Sequence, residues 1–193
     1  MGTPDSRRAS LQELITDAPF LTDAQLAESL GVSIATIRLD RSILKIPEVR
    51  ERTRAMAAAN YKKLRSMGSR EIIGELISLD VGLAASSVLH VTQDMVLQKS
   101  GVVRGHHLFA QGNSLAAAVV DAPGALTASA AVRFLRPISA GEQVFASASV
   151  TERDTNRYCV LVESRVRQDP VFSGRFWMVP WQVDDVPEES LAR

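Results

Sequence analysis

A single cysteine, Cys159, excludes any disulfide within the chain and fits a reducing compartment. It lies in the apolar run Tyr158-Cys159-Val160-Leu161-Val162, a setting that suits a buried thiol better than a nucleophile. Aromatic residues make up only 5% of the chain, so Leu, Val, Ile and Ala must fill the core. No apolar run reaches the length of a membrane span, and Met1-Gly2-Thr3-Pro4-Asp5-Ser6-Arg7-Arg8 does not read as a secretory signal. A cytoplasmic protein with no membrane partner is expected. There is no internal repeat and no low-complexity tract. Formal net charge is zero, yet the charge is unevenly placed. Residues 33–70 hold ten Lys or Arg against three acids, a local balance of +7 that leaves −7 for the rest. A basic segment on an acidic body suggests that one part meets a polyanion, although a solvated charged helix face gives the same count.

What the chain does contain, 46% hydrophobic and 23% charged residues over 193 positions, suits a small domain joined to a mid-sized one. The order of its elements can be anticipated. Residues 1–9 are expected to be disordered, with a first helix over Leu11 to Asp17 ended by Pro19. Thr22-Asp23-Ala24-Gln25 has the form of a capping box for a second helix. Leu26, Ala27 and Leu30 supply its inner face, and Gly31 stops it. Ser33 caps a third helix, with Ile34 and Ile37 inward and Thr36, Arg38 and Arg41 elsewhere. Pro47 opens a fourth helix that runs to about Met67 and stops at Gly68. Its thin apolar stripe suits a linker.

Beyond Glu71 the pattern becomes strand-like: Ile72–Leu79, Ser86–Val91, a helix over Leu108–Val120, then Ala125–Phe134, Gln143–Glu152, Tyr158–Arg167 and Val171–Val179. One helix among antiparallel strands is an α+β architecture. The expected domains are 1–46, an all-α helical domain; 47–68, a long linker helix; 69–183, an α+β domain; and 184–193, an acidic tail that frays.

Leu26-Ala27-x-x-Leu30-Gly31-Val32-Ser33-x-x-Thr36-Ile37-Arg38-x-Asp40-Arg41 is a helix-turn-helix pattern. Ala27 must be small where the second helix crosses, Gly31 makes the turn, and Leu26, Leu30, Val32 and Ile37 fix the crossing angle. The outer face of the second helix is then free to enter a major groove. Ser33, Ala35 and Thr36 are candidates for base edges or phosphates, with Arg38 and Arg41 behind them. Arg50, Arg52 and Arg54, at the start of the linker, are candidates for phosphates or a minor groove, although a solvated helix face is the more common role for any one of them. The stretch resembles the DNA-binding part of DeoR-type bacterial repressors, which show the same Ser-x-x-Thr-Ile-Arg-x-Asp run.

Phe134-Leu135-Arg136-Pro137-Ile138-Ser139-Ala140-Gly141-Glu142-Gln143-Val144 resembles the strand-turn-strand signature of hotdog-fold proteins, in which an antiparallel sheet wraps a central helix. That likeness implies a homodimer with acyl-CoA thioesters at its seam. Arg104-Gly105-His106-His107-Leu108-Phe109-Ala110-Gln111-Gly112-Asn113-Ser114-Leu115 is similar to the opening of the central helix in the malonyl-CoA-responsive repressors of fatty acid and phospholipid synthesis of Gram-positive bacteria. The resemblance covers about residues 9–179. It implies release from palindromic operator DNA by malonyl-CoA, or by malonyl-acyl carrier protein. It also implies effector contacts at Arg104, Gly105, Phe109 and Asn113. Arg104 would grip the malonyl carboxylate with paired hydrogen bonds, and Gly105 would open the helix start to the ligand. Where the family has an aromatic residue seven positions before the arginine, this chain has Leu97.

The rival reading is a hotdog thioesterase with an added DNA-binding domain. Some such thioesterases resemble this run, but their catalytic Asp falls at Asn113, and an amide is no carboxylate base. No other acid lies between Arg104 and Val120, so no catalytic residue is expected. A third reading keeps the hotdog domain only as a dimerisation module. His106 and His107 are adjacent and should diverge on a helix, so they are expected as hydrogen-bonded residues of the dimer seam and not as a metal site; no cofactor is expected.

Overall fold

The structure is a computed structural model that describes residues 3–181. The acidic tail expected at 184–193 lies outside them. The described chain divides into two compact units, one ending at Ala58 and one beginning at Ala59. This division falls inside the segment expected to be a linker.

The first unit carries α1 (Pro4–Asp17), α2 (Asp23–Leu30) and α3 (Ile34–Ile43). The start of α1 departs from expectation: residues 4–9 are helical rather than disordered. Thr3 caps the helix by accepting the Ser6 amide at 3.3 Å, and Pro4 sits in its first turn, where no amide donor is needed. In the capping box of α2, Thr22 Oγ1 accepts the Gln25 amide at 3.3 Å and Gln25 Oε1 accepts the Thr22 amide at 2.9 Å. Gly31 ends α2 with φ of 63°, a left-handed turn that glycine adopts without strain. Leu11, Ile15, Leu26, Ala27 and Ile37 form the small core. Ile34, expected to point inward, is instead 43% exposed.

α4 (Val49–Tyr61) starts two residues after Pro47 and ends six residues before Met67. The early stop has a local cause in the second unit. Asn60 Nδ2 donates to the carbonyl of Ile77 at 2.6 Å, and the backbone turns, with the Lys63 amide donating to Asn60 at 2.9 Å. Tyr61, Leu64 and Met67 then pack on the second core instead of continuing a stripe.

The second unit holds β1 (Glu75–Asp80), β2 (Ala84–His90), α5 (Gly105–Ala118), β3 (Gly124–Phe134), β4 (Gln143–Arg153), β5 (Tyr158–Val166) and β6 (Asp169–Trp181). The strands form one antiparallel sheet in the order β1-β2-β4-β5-β6-β3. Its inner face alternates in the manner of a half-buried strand: Val144, Ala146 and Ala148 on β4 are buried, as are Val160 and Val162 on β5. These residues, with Phe172, Phe176 and Met178, enclose Leu108, Leu115 and Ala116 of α5. The two edges differ. On β1, the carbonyls of Ile77 and Leu79 accept side-chain donors from Asn60 and Lys63, at 2.6 and 3.4 Å. β3 is exposed at every residue from Leu126 to Ala131. Sequence patterning missed the short 3₁₀ turn at Gln93–Met95 and the bridge from Val96 to Val103 that follows it.

Candidate functional site

Two surfaces carry the residues singled out by their chemistry. The first is the outer face of α3. Ser33 caps the helix, its Oγ accepting the Thr36 amide at 3.1 Å and lying 2.9 Å from Thr36 Oγ1. Ser33 and Ala35 are exposed, Thr36 is half-buried, and the Arg38 side chain is 69% exposed. Ile37, Asp40 and Arg41 face the core. The helix thus separates an outward arc from an inward one.

The inward arc is held by charge. Asp40 is fully buried and accepts from Arg7 Nε at 2.7 Å and Arg8 Nε at 3.0 Å. The Arg7 hydrogen bond outweighs burial, and Arg8 adds to it, so the Asp40 carboxyl lies below its ordinary 3.8. Burial pushes Asp23 upward, but Arg41 and Arg38 together pull it lower.

Two arginines expected to face outward are placed differently. Arg41 is 6% exposed and clamps Asp23 while donating to the Ile46 carbonyl at 3.0 Å. Arg52 donates to the carbonyls of Pro19 at 3.0 Å and Leu21 at 2.9 Å, tying the α1–α2 loop to α4. Burial lowers its pKa, and the nearby Arg41 adds to that. Arg50 is exposed. The Arg7–Asp40 pair escaped sequence reading; Thr3-Pro4, a cap followed by a first-turn proline, was the signal for the helix that carries Arg7.

The second surface lies at the start of α5. Arg104 is the residue before the first turn, with extended backbone, and its side chain does not cap the helix. Its guanidinium is half-buried and donates to the main-chain carbonyls of Asp94 and Met95. Asp94, Val96, Leu97, Gln98, Lys99 and Ser100 surround it in a groove where Leu97 is 50% exposed. A side chain at position 105 would meet the Phe134 ring at 3.1 Å, so Gly105 lets that ring lie against the helix start. The imidazoles of His106 and His107 were expected to diverge; their centroids are 4.1 Å apart. Burial lowers the His107 pKa, and the charges of His106 and Arg104 add to this while Asp94 opposes it. No cluster of metal-ligating side chains occurs among the described residues.

Phe109 and Asn113, one turn apart on α5, line a different groove with Ser66, Ile73, Ala125 and Thr127. Asn113 Oδ1 accepts from Thr127 Oγ1 at 2.7 Å, and the Phe109 ring packs 5.7 Å from that of Phe176. Within one chain the structure therefore groups Arg104 with Leu97, and Phe109 with Asn113. It does not bring the two pairs together.

Comparison with known proteins agrees with both units. No family model matches the chain. The solved structure of an uncharacterised Pyrococcus horikoshii protein superposes with a TM-score of 0.58 at 25% identity, covering 63% of this chain and 96% of that one. The Escherichia coli PaaI protein of the phenylacetic acid degradation operon does so with 0.51 at 23%, covering 55% and 78%. These likenesses fit the hotdog fold of a sheet wrapped on α5. Over both units the chain is 48% identical to transcription factor FapR of Bacillus subtilis, across 89% of this chain and 93% of the relative. It is 40% identical to transcription factor FapR of Caldanaerobacter subterraneus, across 95% and 92%. At this identity and coverage, the chain belongs to the FapR family of transcription factors.

Proposed function

We propose that the chain is a cytoplasmic repressor of lipid-synthesis genes, that it binds palindromic operator DNA as a homodimer through α3, and that malonyl-CoA releases it. The observation that carries the effector assignment is the state of Arg104. Among the described residues its guanidinium contacts main-chain carbonyls and forms no ion pair with a carboxylate. Nε and Nη2 are engaged, which leaves Nη1 donors for an incoming carboxylate. A malonyl group offers that carboxylate and an acetyl group does not. The malonyl group carried on acyl carrier protein offers the same chemistry.

The open edge of β3 supports the dimer. A second copy pairing there antiparallel satisfies the exposed main-chain groups of both strands, and a two-fold pairing uses the same surface on each partner. In such a dimer, Phe109 and Asn113 of one protomer complete the site begun by Arg104 and Leu97 of the other. Release follows if the ligand binds more tightly to a dimer arrangement that cannot engage both half-sites; only that difference in affinity shifts the population.

Hydrolysis is not supported. α5 from Gly105 to Ala118 contains no carboxylate, Asn113 carries an amide that cannot serve as a base, and Asp121 pairs with Arg65 at 2.5 Å. Calorimetric titration of the whole protein with malonyl-CoA, with acetyl-CoA as control, tests the reading. Binding of malonyl-CoA alone, with the thioester intact and operator affinity reduced, is expected. Turnover of either thioester would replace this function with an enzymatic one.

A further inference from the structure

On the outward arc of α3, Ala35, Leu39 and Ile43 follow one another at four-residue spacing, which stacks them in a single row along the helix. Leu39 is 61% exposed, the highest value among the exposed large apolar side chains of the described residues, and Ile43 is 49% exposed. Neither is among the buried residues of the small core. A contiguous row of exposed apolar side chains marks an interaction surface. Beside it runs a second row, Ile34, Arg38 and Ser42, whose cation is 69% exposed.

We propose that the Ala35–Leu39–Ile43 row reads thymine, with Leu39 as the specificity-determining residue that packs on thymine 5-methyl groups in the major groove. The inference rests on the proposal that α3 binds DNA, and goes beyond it by naming the base chemistry that is read. The 5-methyl group of thymine is the apolar feature of a major-groove edge; the other bases present donors and acceptors there. An apolar row flanked by Arg38 matches an edge that is apolar at thymine and lies beside phosphates. The exposed Lys45 and Arg50 lie near it in sequence and extend that positive character.

The test uses the full-length protein and duplexes that it enriches from a random DNA library. An enriched duplex is rebuilt with deoxyuridine in place of thymidine, which deletes only the methyl groups. Wild-type protein should bind the uracil duplex about tenfold more weakly. Leu39→Ala should bind the thymine duplex more weakly than wild type and no longer distinguish the two duplexes. Leu39 is exposed, so the variant should melt as wild type does. Equal wild-type affinity for the two duplexes would overturn the inference and leave DNA binding by α3 intact. So would a Leu39→Ala protein that still discriminates between them while its oligomeric state changes, which makes the row a protein contact. Failure to enrich any duplex would overturn the DNA-binding proposal itself, and this inference with it.

Discussion

Arg41 donates from Nε and Nη2 to both carboxylate oxygens of Asp23, at 2.7 and 3.0 Å, and so locks α3 against the first turn of α2. The arginine is buried, so its charge is spent on the angle between the two helices rather than on a polyanion. Arg41→Ala should therefore lower the stability of the first unit by about 2 kcal/mol, because it leaves a partly buried carboxylate with only the more distant Arg38. Arg38→Ala, on the exposed side, loses only a solvent-screened 3.5 Å ion pair with Asp23, so it should shift the melting curve much less and weaken DNA binding. Thermal melts run beside gel-shift titrations separate the two; identical melts for both variants would contradict this division of labour.

The buried Asp40 makes the first unit acid-sensitive. Its carboxyl is lowered from 3.8, chiefly by the Arg7 hydrogen bond acting against burial. A depressed folded-state value means that the stabilisation is complete above 3.8 and is lost as pH falls below 3.8 through the lowered value. Circular dichroism during acid titration should show helix loss in that window. Asp40→Asn should be less stable at neutral pH and should lose part of the acid dependence; an unchanged acid profile would remove Asp40 as its cause.

The Arg104 proposal distinguishes charge from geometry. Arg104→Lys keeps a cation but replaces the planar fork with a point charge. Malonyl-CoA affinity should fall about tenfold for Lys and further for Ala, while any weak acetyl-CoA binding stays unchanged. Calorimetry measures both. An equal loss for the two thioesters would mean that Arg104 shapes the loop at Asp94 and Met95 instead.

The sheet and α5 share one core, and Leu115 lies at its centre with no exposed surface. Leu115→Ala should cost about 2–5 kcal/mol in denaturant unfolding of the second unit. The first unit has its own core, so its melting should be unaffected. A single shifted transition for the whole chain would show that the units unfold together.

Local signals and distant ones were not equally legible. Thr22 with Gln25, Gly31 and the period-two strands β4 and β5 declare themselves within a few residues, because caps, turns and pleats are local physics. Where a side chain reaches across the fold, reading by neighbours fails. Arg52 looks like a surface cation until it meets the carbonyls of Pro19 and Leu21. α4 looks able to continue past Tyr61 until Asn60 finds Ile77. Ile34 is apolar and was placed inward by period alone, whereas the outward arc of α3 keeps apolar residues of its own. Arg104 and Asn113 stand out in the sequence only by their resemblance to a family motif. Their separation into two grooves does not, since it depends on where the Gln93–Met95 turn carries the chain.

The two margins of the sheet also bear on how many copies join. One margin is engaged by its own chain, where Asn60 and Lys63 donate to the Ile77 and Leu79 carbonyls of β1; among the described residues the other, β3, is exposed from Leu126 to Ala131. Strand-to-strand growth needs a free margin at each end of every subunit. On the proposed pairing through β3, a chain with one is self-terminating: a pair uses the exposed strand of each copy, and no site is left from which a fibre extends.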